Sequence, residues 1–169
     1  IDALVHSVES SLSPKATDYS KLFGYKAIEM IITSYQRLVK EGKEILPDLM
    51  DTFLTASNFA GIAFETAGCA AVHALSYPLG AKYHVPHGES NYAIDGEIAT
   101  MNEFLANLLH CDTKIVYTEL ENLLNSVLQK KPLHEYGVTE KDIEDFTESV
   151  MTTQGRLMAN NFVILDKER

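Results

Sequence analysis

The chain has 169 residues, 46% of them hydrophobic, which is enough to bury one apolar core and little for two domains. A net charge of −10 argues against a nucleic-acid-binding protein, because phosphate neutralisation needs clustered Lys and Arg. The sequence has neither a secretory leader nor an apolar run of about eighteen residues, so we expect a cytoplasmic protein without membrane association.

The first half of the chain is typical of long helices. Residues 17–40 are predicted to form one helix that ends at Gly42, with an apolar stripe formed by Ile28, Ile31, Ile32, Tyr35 and Leu38. Pro47 is well placed to open the next helix. Residues 56–74 are rich in Ala, Gly and Phe, with Glu65 as the lone charge. This composition predicts a helix that is apolar all round and lies in the middle of a bundle.

The second half continues the helical pattern. We expect a helix that begins after His87 and ends near Leu108. Thr113 is predicted to cap the following helix, whose apolar stripe is Val116, Leu120, Leu123, Leu124 and Val127. Thr139 and Asp142 have the spacing of a capping box and open a further helix. Because no segment alternates with the period of a strand, the predicted fold is an all-α helical bundle.

The ends of the chain fall within helical patterns. Ile1 is not an initiator Met and no cap precedes it, and Arg169 follows an apolar run without a helix terminator. We therefore expect residues 1–169 to be one domain of a longer protein.

Half of the six histidines fall between residues 71 and 92. A single histidine such as His73 on a buried helix is more often a packing residue than a metal ligand. His87, however, stands between a proline and a glycine at a predicted helix start, and a tight connection can bring it towards His73. Asp2 and His6 are four residues apart, so they share one helix face. A carboxylate and several imidazoles suit Fe²⁺, Zn²⁺, Co²⁺ or Ni²⁺ better than Ca²⁺ or Mg²⁺.

The two cysteines and two further histidines are interpreted as structural residues. Cys69 and Cys111 match no zinc-finger or redox spacing and are predicted to be small buried thiols. His110 and His134 are expected to be surface or packing residues.

The stretches DALVHSVES and AGCAAVHALSYPLGAKYHVPHGESNY closely resemble the C-terminal helical half of the iron-containing (group III) alcohol dehydrogenases. The resemblance runs over residues 1–102 and more loosely to the end. It implies four ligands for Fe²⁺ or Zn²⁺, namely Asp2, His6, His73 and His87. Asn91 matches the family's Asn and is taken as a substrate-binding residue, and Glu9 matches an acidic neighbour with a supporting role.

The same resemblance implies the architecture and the reaction. The chain would be the metal-binding domain of a two-domain dehydrogenase whose α/β half binds NAD(P) and is absent from this chain. Hydride would pass between the nicotinamide and a primary alcohol or aldehyde. The resemblance further implies that this half is inactive alone and that the whole protein is a homo-oligomer, commonly a dimer.

One position departs from the family pattern. Many members have a second histidine where this chain has Tyr77, near the nicotinamide, so Tyr77 is taken as a catalytic and cofactor-contacting residue together with His87. His84 is a further catalytic candidate. The variant HALSYPLG…YHVPHGESNY is similar to 4-hydroxybutyrate dehydrogenases, and Lys82 is the local candidate for the substrate carboxylate.

Other interpretations stay open. Within the family these are dehydrogenases of butanol, of lactaldehyde or 1,2-propanediol and of glycerol, as well as maleylacetate reductases and related 3-dehydroquinate-synthase-like lyases. A helical phosphohydrolase would need an adjacent His-Asp pair, which the sequence lacks. A non-catalytic helical interaction module with structural histidines is the alternative from another class.

Overall fold

The computed structural model describes residues 1–83, 99–161 and 164–165. Every regular element in these ranges is helical, which confirms the all-α prediction. The α-helices are, in chain order, α1 (Asp2–Leu12), α2 (Asp18–Glu41), α3 (Leu46–Ala67), α4 (Ala71–Tyr83), α5 (Ala99–Leu109), α6 (Val116–Val127), α7 (Glu140–Thr153) and α8 (Gly155–Met158). Single 3-10 turns precede α3, α6 and α7, at Lys43–Ile45, Thr113–Ile115 and Leu133–Tyr136.

Helices α2 and α3 form the centre of the bundle, and α1 packs against both. The prediction for α2 is confirmed, since the helix begins after Thr17, whose side chain accepts a hydrogen bond from the Ser20 amide. It ends at Gly42, which has a φ of 98° that suits glycine. Four residues of its predicted apolar stripe are buried in the main core, whereas Leu38 is only half-buried. This core includes Leu4, Ile28, Ile31, Ile32, Tyr35, Ala56, Met101, Leu105 and Val116.

A smaller core lies under α4. Cys69, Ala74, Val150 and Leu157 are buried together there, from α7, α8 and the segment around the start of α4. This second core holds the far end of the chain against the region that contains His73.

The prediction of one wholly apolar helix over residues 56–74 is wrong. The run is divided at Gly68, which has a φ of 79°, so that α3 ends at Ala67 and α4 begins at Ala71. Between residues 56 and 67 only one face of α3 is buried, and the exposed positions there are Ser57, Asn58, Glu65 and Thr66. The small residues of this run permit close helix packing on one side, and composition alone did not show that the other side is polar.

One detail of the second half differs from expectation, and another prediction there lies outside the described residues. The side chain that caps the turn before α6 is Asp112, which accepts from the Lys114 amide, and Thr113 lies inside that turn. Helix α5 is described from Ala99 to Leu109, so the predicted start after His87 lies outside the described residues.

The capping box of α7 is confirmed and extends to α4. Thr139 and Asp142 exchange side-chain and backbone hydrogen bonds as predicted. Asp142 also accepts hydrogen bonds from Lys82 and from the Tyr83 hydroxyl, the latter at 2.6 Å. The start of α7 therefore fixes the end of α4.

No single helix in the described ranges has both the length and the apolar character needed to cross a membrane. Length and composition alone would allow it only for the bent pair Lys43–Ala67 and Ala71–Tyr83.

Candidate metal centre

Helix α1 presents three polar side chains on one face. Asp2, His6 and Glu9 lie at i, i+4 and i+7, so they follow each other along the helix surface. The exposed fraction of these side chains falls along the helix, from 41% for Asp2 through 16% for His6 to 7% for Glu9. The face thus leads from solvent into the protein.

The corner between α3 and α4 supplies the opposite wall. The chain turns through 108° between the two helices, at Gly68, Cys69 and Ala70. The turn directs the Cys69 side chain, two backbone N–H groups and His73 towards α1. His73 is 1% exposed.

Glu9 joins the two walls. Its carboxylate accepts hydrogen bonds from the Ala70 amide at 3.0 Å and from the Val72 amide at 2.7 Å. It also lies 2.6 Å from Nδ1 of His73. A carboxylate only accepts, so Nδ1 of His73 donates and Nε2 is left facing the cleft. Three donors offset the cost of burying this charged group.

The two imidazoles approach each other through their Nε2 atoms. Nε2 of His6 and Nε2 of His73 are 3.3 Å apart. The Asp2 carboxylate lies 3.5 Å from the former and 3.9 Å from the latter. With metal–ligand bonds of about 2.1 Å, ligand atoms in a tetrahedral site are about 3.4 Å apart. The separation and the chemistry of these three donors therefore fit a divalent transition metal.

Cys69 lies behind His6. Its sulfur is 3.1 Å from Nδ1 of His6, and His6, Cys69 and His73 offer ligand atoms within 4.8 Å of one another. Burial, strengthened by the negative charges of Glu9 and Asp2, raises the pKa of the Cys69 thiol to about 12. A neutral thiol at Nδ1 can accept the N–H hydrogen and direct Nε2 to the cleft. As a ligand it would have to lose its proton.

The sequence predicts an ordinary buried thiol at Cys69, and the structure adds a neighbour that this prediction missed. The thiol is buried and free of a disulfide, as expected. The available signal was its position four residues before His73, just ahead of a helix start. Sequence could not show that the corner turns its sulfur towards His6.

Two aromatic side chains border the site. Phe64 stacks on His6, with ring centroids 4.4 Å apart, and so limits water on that side. Tyr77 is 42% exposed, and its ring lies edge-on to His73 at 6.5 Å. Burial of the Tyr77 hydroxyl raises its pKa, an effect that acts against the role of a base at neutral pH.

Of the other predicted site residues, Lys82 lies within the described ranges. Lys82 lies on α4, nine residues beyond His73, which corresponds to about 14 Å along a helix. It pairs there with Asp142, so a substrate carboxylate would have to share this ammonium group or displace Asp142. His84, His87 and Asn91 lie outside the described residues. His110 and His134 are exposed, as expected.

The chain resembles known proteins over its whole length. Residues 1–169 match the C-terminal part of the Fe-containing alcohol dehydrogenase family. The chain is 42% identical to the 4-hydroxybutyrate dehydrogenase of Clostridium kluyveri over 99% of its own length and 49% of that protein. It is 32% identical to long-chain-alcohol dehydrogenase 1 of Geobacillus thermodenitrificans, covering 95% of this chain and 44% of that one. The chain thus spans about half the length of these relatives.

Solved structures share the fold. An archaeal halo-thermophilic alcohol dehydrogenase from a Red Sea brine pool superimposes with a TM-score of 0.81 at 24% identity, over 98% of this chain and 46% of that one. A 1,3-propanediol oxidoreductase gives a TM-score of 0.78 at 22% identity, over 98% and 47%. The extent of the family match, together with the helical fold, shows that this chain belongs to the Fe-containing alcohol dehydrogenase family and corresponds to its C-terminal part.

Proposed function

We propose that this chain is the metal-binding half of an NAD(P)-linked dehydrogenase that interconverts 4-hydroxybutyrate and succinate semialdehyde. The observation that carries the metal-binding part is the approach of Asp2, His6 and His73 to within 3.3–3.9 Å of one another. The substrate part is supported by the 42% identity to a 4-hydroxybutyrate dehydrogenase over 99% of this chain.

Asp2, His6 and His73 would hold the ion, and His87 is the proposed fourth ligand by resemblance. The donor set favours Fe²⁺ or Zn²⁺. A metal ion bound there supplies Lewis-acid polarisation of the alcohol or aldehyde oxygen. In oxidation, the carbinol carbon gives a hydride to NAD(P)⁺, the hydroxyl proton goes to solvent or a nearby base, and an aldehyde remains.

The residues around the donors keep the site ready for this reaction. Glu9 holds His73 in the tautomer that leaves Nε2 as an acceptor. Phe64 and the buried corner exclude water from one side. The partly exposed ring of Tyr77 lies edge-on to the buried His73, and its hydroxyl is the proposed donor to substrate or cofactor.

The remaining assignments are proposals on sequence grounds. His84 and His87 stay candidates for proton transfer, and His87 and Tyr77 for contact with the nicotinamide. Asn91 and Lys82 stay candidates for substrate binding. For Lys82, the Michaelis constant of the Lys82→Met variant for 4-hydroxybutyrate, compared with that for butanol, is decisive. If the Michaelis constant of the variant exceeds that of the wild type for 4-hydroxybutyrate but not for butanol, Lys82 binds the substrate carboxylate. If the Michaelis constants for both substrates change equally, another residue binds it.

The decisive experiment measures metal content and substrate preference in the full-length protein. We expect bound Fe or Zn and a higher kcat/KM for 4-hydroxybutyrate than for butanol. Comparable values for both alcohols would contradict the substrate assignment, and a protein that binds neither metal would favour a helical interaction module. The same protein would show whether the predicted homo-oligomer forms.

Cobalt substitution distinguishes the two donor sets that the structure offers. If Asp2, His6 and His73 bind the ion, Co²⁺ gives visible d–d bands without the near-ultraviolet absorption of a cobalt–thiolate bond. That absorption, lost in Cys69→Ser, would show instead that Cys69 is a ligand.

A prediction follows for the chain alone. Because the partner half that would bind the nicotinamide is not part of residues 1–169, we expect the isolated chain to show no NAD(P)-dependent turnover. Measurable turnover with 4-hydroxybutyrate and either cofactor would contradict this division of labour.

A further inference from the structure

Asn160 lies just beyond α8 and is buried against the corner between α3 and α4, with 3% of its surface exposed. Its side-chain amide nitrogen donates to the Ala67 carbonyl at 2.7 Å and to the Cys69 carbonyl at 3.1 Å. Its Oδ1 accepts from the Ser13 hydroxyl at 3.0 Å. Both ends of the amide are therefore engaged, with partners that are remote in sequence.

These bonds replace helical bonds that the corner interrupts. The last carbonyls of α3 have no partner within the helix, and Asn160 donates to that of Ala67. The single hydrogen of the Ser13 hydroxyl is shared between this carbonyl and Oδ1 of Asn160. Between the two bonded carbonyls lies Gly68, where an added Cβ would come within 2.9 Å of the Asn160 amide nitrogen. The amide thus fills the space that glycine leaves and fixes the path of the corner.

The corner also contains the residues that contact His6 and Glu9 in the candidate metal centre. The carbonyl of Cys69 binds Asn160, while its sulfur contacts Nδ1 of His6. The next residue, Ala70, donates its amide hydrogen to Glu9, which holds His73. A shift of the corner would therefore move both imidazoles relative to each other. Displacements of about 1 Å are enough to impair a site of this kind.

We propose that Asn160 is a positioning residue for the metal centre, acting through the α3–α4 corner on His6 and His73. This inference rests on the proposed metal-binding function. It links the site to a residue that is 93 positions away from Ala67 in sequence and touches none of the proposed ligands that the structure describes.

The test compares Asn160→Ala with Val116→Ala in the full-length protein. Val116 is fully buried in the main core, so its truncation lowers stability without touching the corner. Two quantities are measured well below the melting temperature of both variants. These are the Zn²⁺ dissociation constant, by competition with a chromophoric chelator, and hydrogen exchange at the Ala70 and Val72 amides of the metal-free protein.

We expect Asn160→Ala to weaken Zn²⁺ binding about ten-fold or more and to speed exchange at both amides. Val116→Ala should leave the dissociation constant within about two-fold of wild type. Equal dissociation constants for the two variants would overturn the proposal. If Asn160→Ala does not fold, Ser13→Ala decides, with weaker Zn²⁺ binding supporting the proposal and unchanged binding refuting it.

The two readouts separate this inference from the proposed function. A wild-type protein that binds Zn²⁺ but does not oxidise 4-hydroxybutyrate would defeat the substrate assignment and leave the role of Asn160 testable by affinity. A wild-type protein that binds no metal would refute the metal centre and this inference with it, whereas the exchange data would still report on the corner.

Discussion

The chemistry of the candidate site depends on the side chain that contacts Nδ1 of each imidazole. Glu9 contacts Nδ1 of His73, and Cys69 contacts Nδ1 of His6, so both rings turn Nε2 towards the cleft. The two supports differ in strength, since a buried carboxylate is a much better acceptor than a neutral thiol. His73 is therefore held more firmly than His6, and Glu9 is the residue whose loss has the larger effect.

Replacing Glu9 by Ala should impair stability and metal binding together. The change leaves the Ala70 and Val72 amides and Nδ1 of His73 without their acceptor, at a cost of about 1–3 kcal/mol for each buried group that stays unpaired. We expect a lower free energy of unfolding in urea and a 10–100-fold weaker affinity for Zn²⁺. Glu65→Ala, which removes an exposed carboxylate on α3, is the control. A Glu9→Ala protein with wild-type affinity would show that Glu9 does not orient His73.

At the scale of elements, the candidate site depends on a break in the chain. The run that was predicted as a single helix forms two helices, α3 and α4. The residues of α3 and α4 have helical composition throughout, and Gly68 supplies the φ of 79° at which the chain leaves α3. The break changes which residues face α1. It also frees the amides of Ala70 and Val72 to bind Glu9, as hydrogen-bond donors at a helix start commonly bind a carboxylate.

Two glycines of this region should respond oppositely to alanine. At Gly68 the backbone conformation is one that only glycine adopts readily, and a Cβ would meet Asn160 at 2.9 Å. Gly68→Ala should therefore cost about 1–3 kcal/mol. Gly61 lies inside α3, and outside its own helix backbone no described atom lies within 4 Å of where an added Cβ would sit. Gly61→Ala should therefore stabilise the protein by about 0.5–1 kcal/mol. Urea unfolding of both variants measures the difference, and equal effects would contradict the described corner.

The contact between α4 and α7 should make stability depend on acid pH. Hydrogen bonds from Lys82, Thr139 and Tyr83 hold the pKa of Asp142 well below its usual value. A depressed native pKa contributes stability that is present above the unfolded pKa of about 3.9 and is lost as pH falls below it. We expect the free energy of unfolding to decline in this range, and less steeply in Asp142→Asn.

Urea unfolding as a function of pH measures this effect. Asp145→Asn, which neutralises an exposed carboxylate on the same helix, is the matched control and should keep the wild-type slope. If Asp142→Asn and Asp145→Asn gave the same acid dependence, the contact between α4 and α7 would not contribute through Asp142.

At the scale of the whole molecule, the candidate ligands connect parts of the bundle that are distant in sequence. Asp2 and His6 belong to α1, and His73 belongs to α4 beyond the corner. An ion bound between them would act as a cross-link that exists only in the folded protein. Metal binding is therefore coupled to folding.

Metal addition should raise the melting temperature of the protein. At a free Zn²⁺ concentration of about one hundred times the dissociation constant, linkage predicts a gain of about 2.7 kcal/mol in the free energy of unfolding. Asp2→Ala should lose most of this gain, whereas Asp51→Ala, an exposed position on α3, should keep it. Calorimetry with Zn²⁺ and with a chelator measures the shift. A wild-type melting temperature that is indifferent to both would contradict the metal centre.

Sequence alone determined most of the local elements of this protein, but not the break at Gly68. The periodicity of Ile28, Ile31 and Ile32 predicts α2, and Thr139 with Asp142 predicts the start of α7, because caps and apolar stripes are encoded within a few neighbouring residues. The spacing of Asp2 and His6, together with the motif around His73, likewise indicated a metal site and the family.

Only the tertiary structure decided how these pieces meet. The contacts of Glu9 with the corner, of Cys69 with His6 and of Asn160 with Ala67 span 61 to 93 positions in sequence. No local pattern encodes them, since they depend on the direction that the chain takes after Gly68. Short sequence segments thus indicate the types of the candidate ligands. Their arrangement around a common point depends on how the corner packs against α1 and the end of the chain.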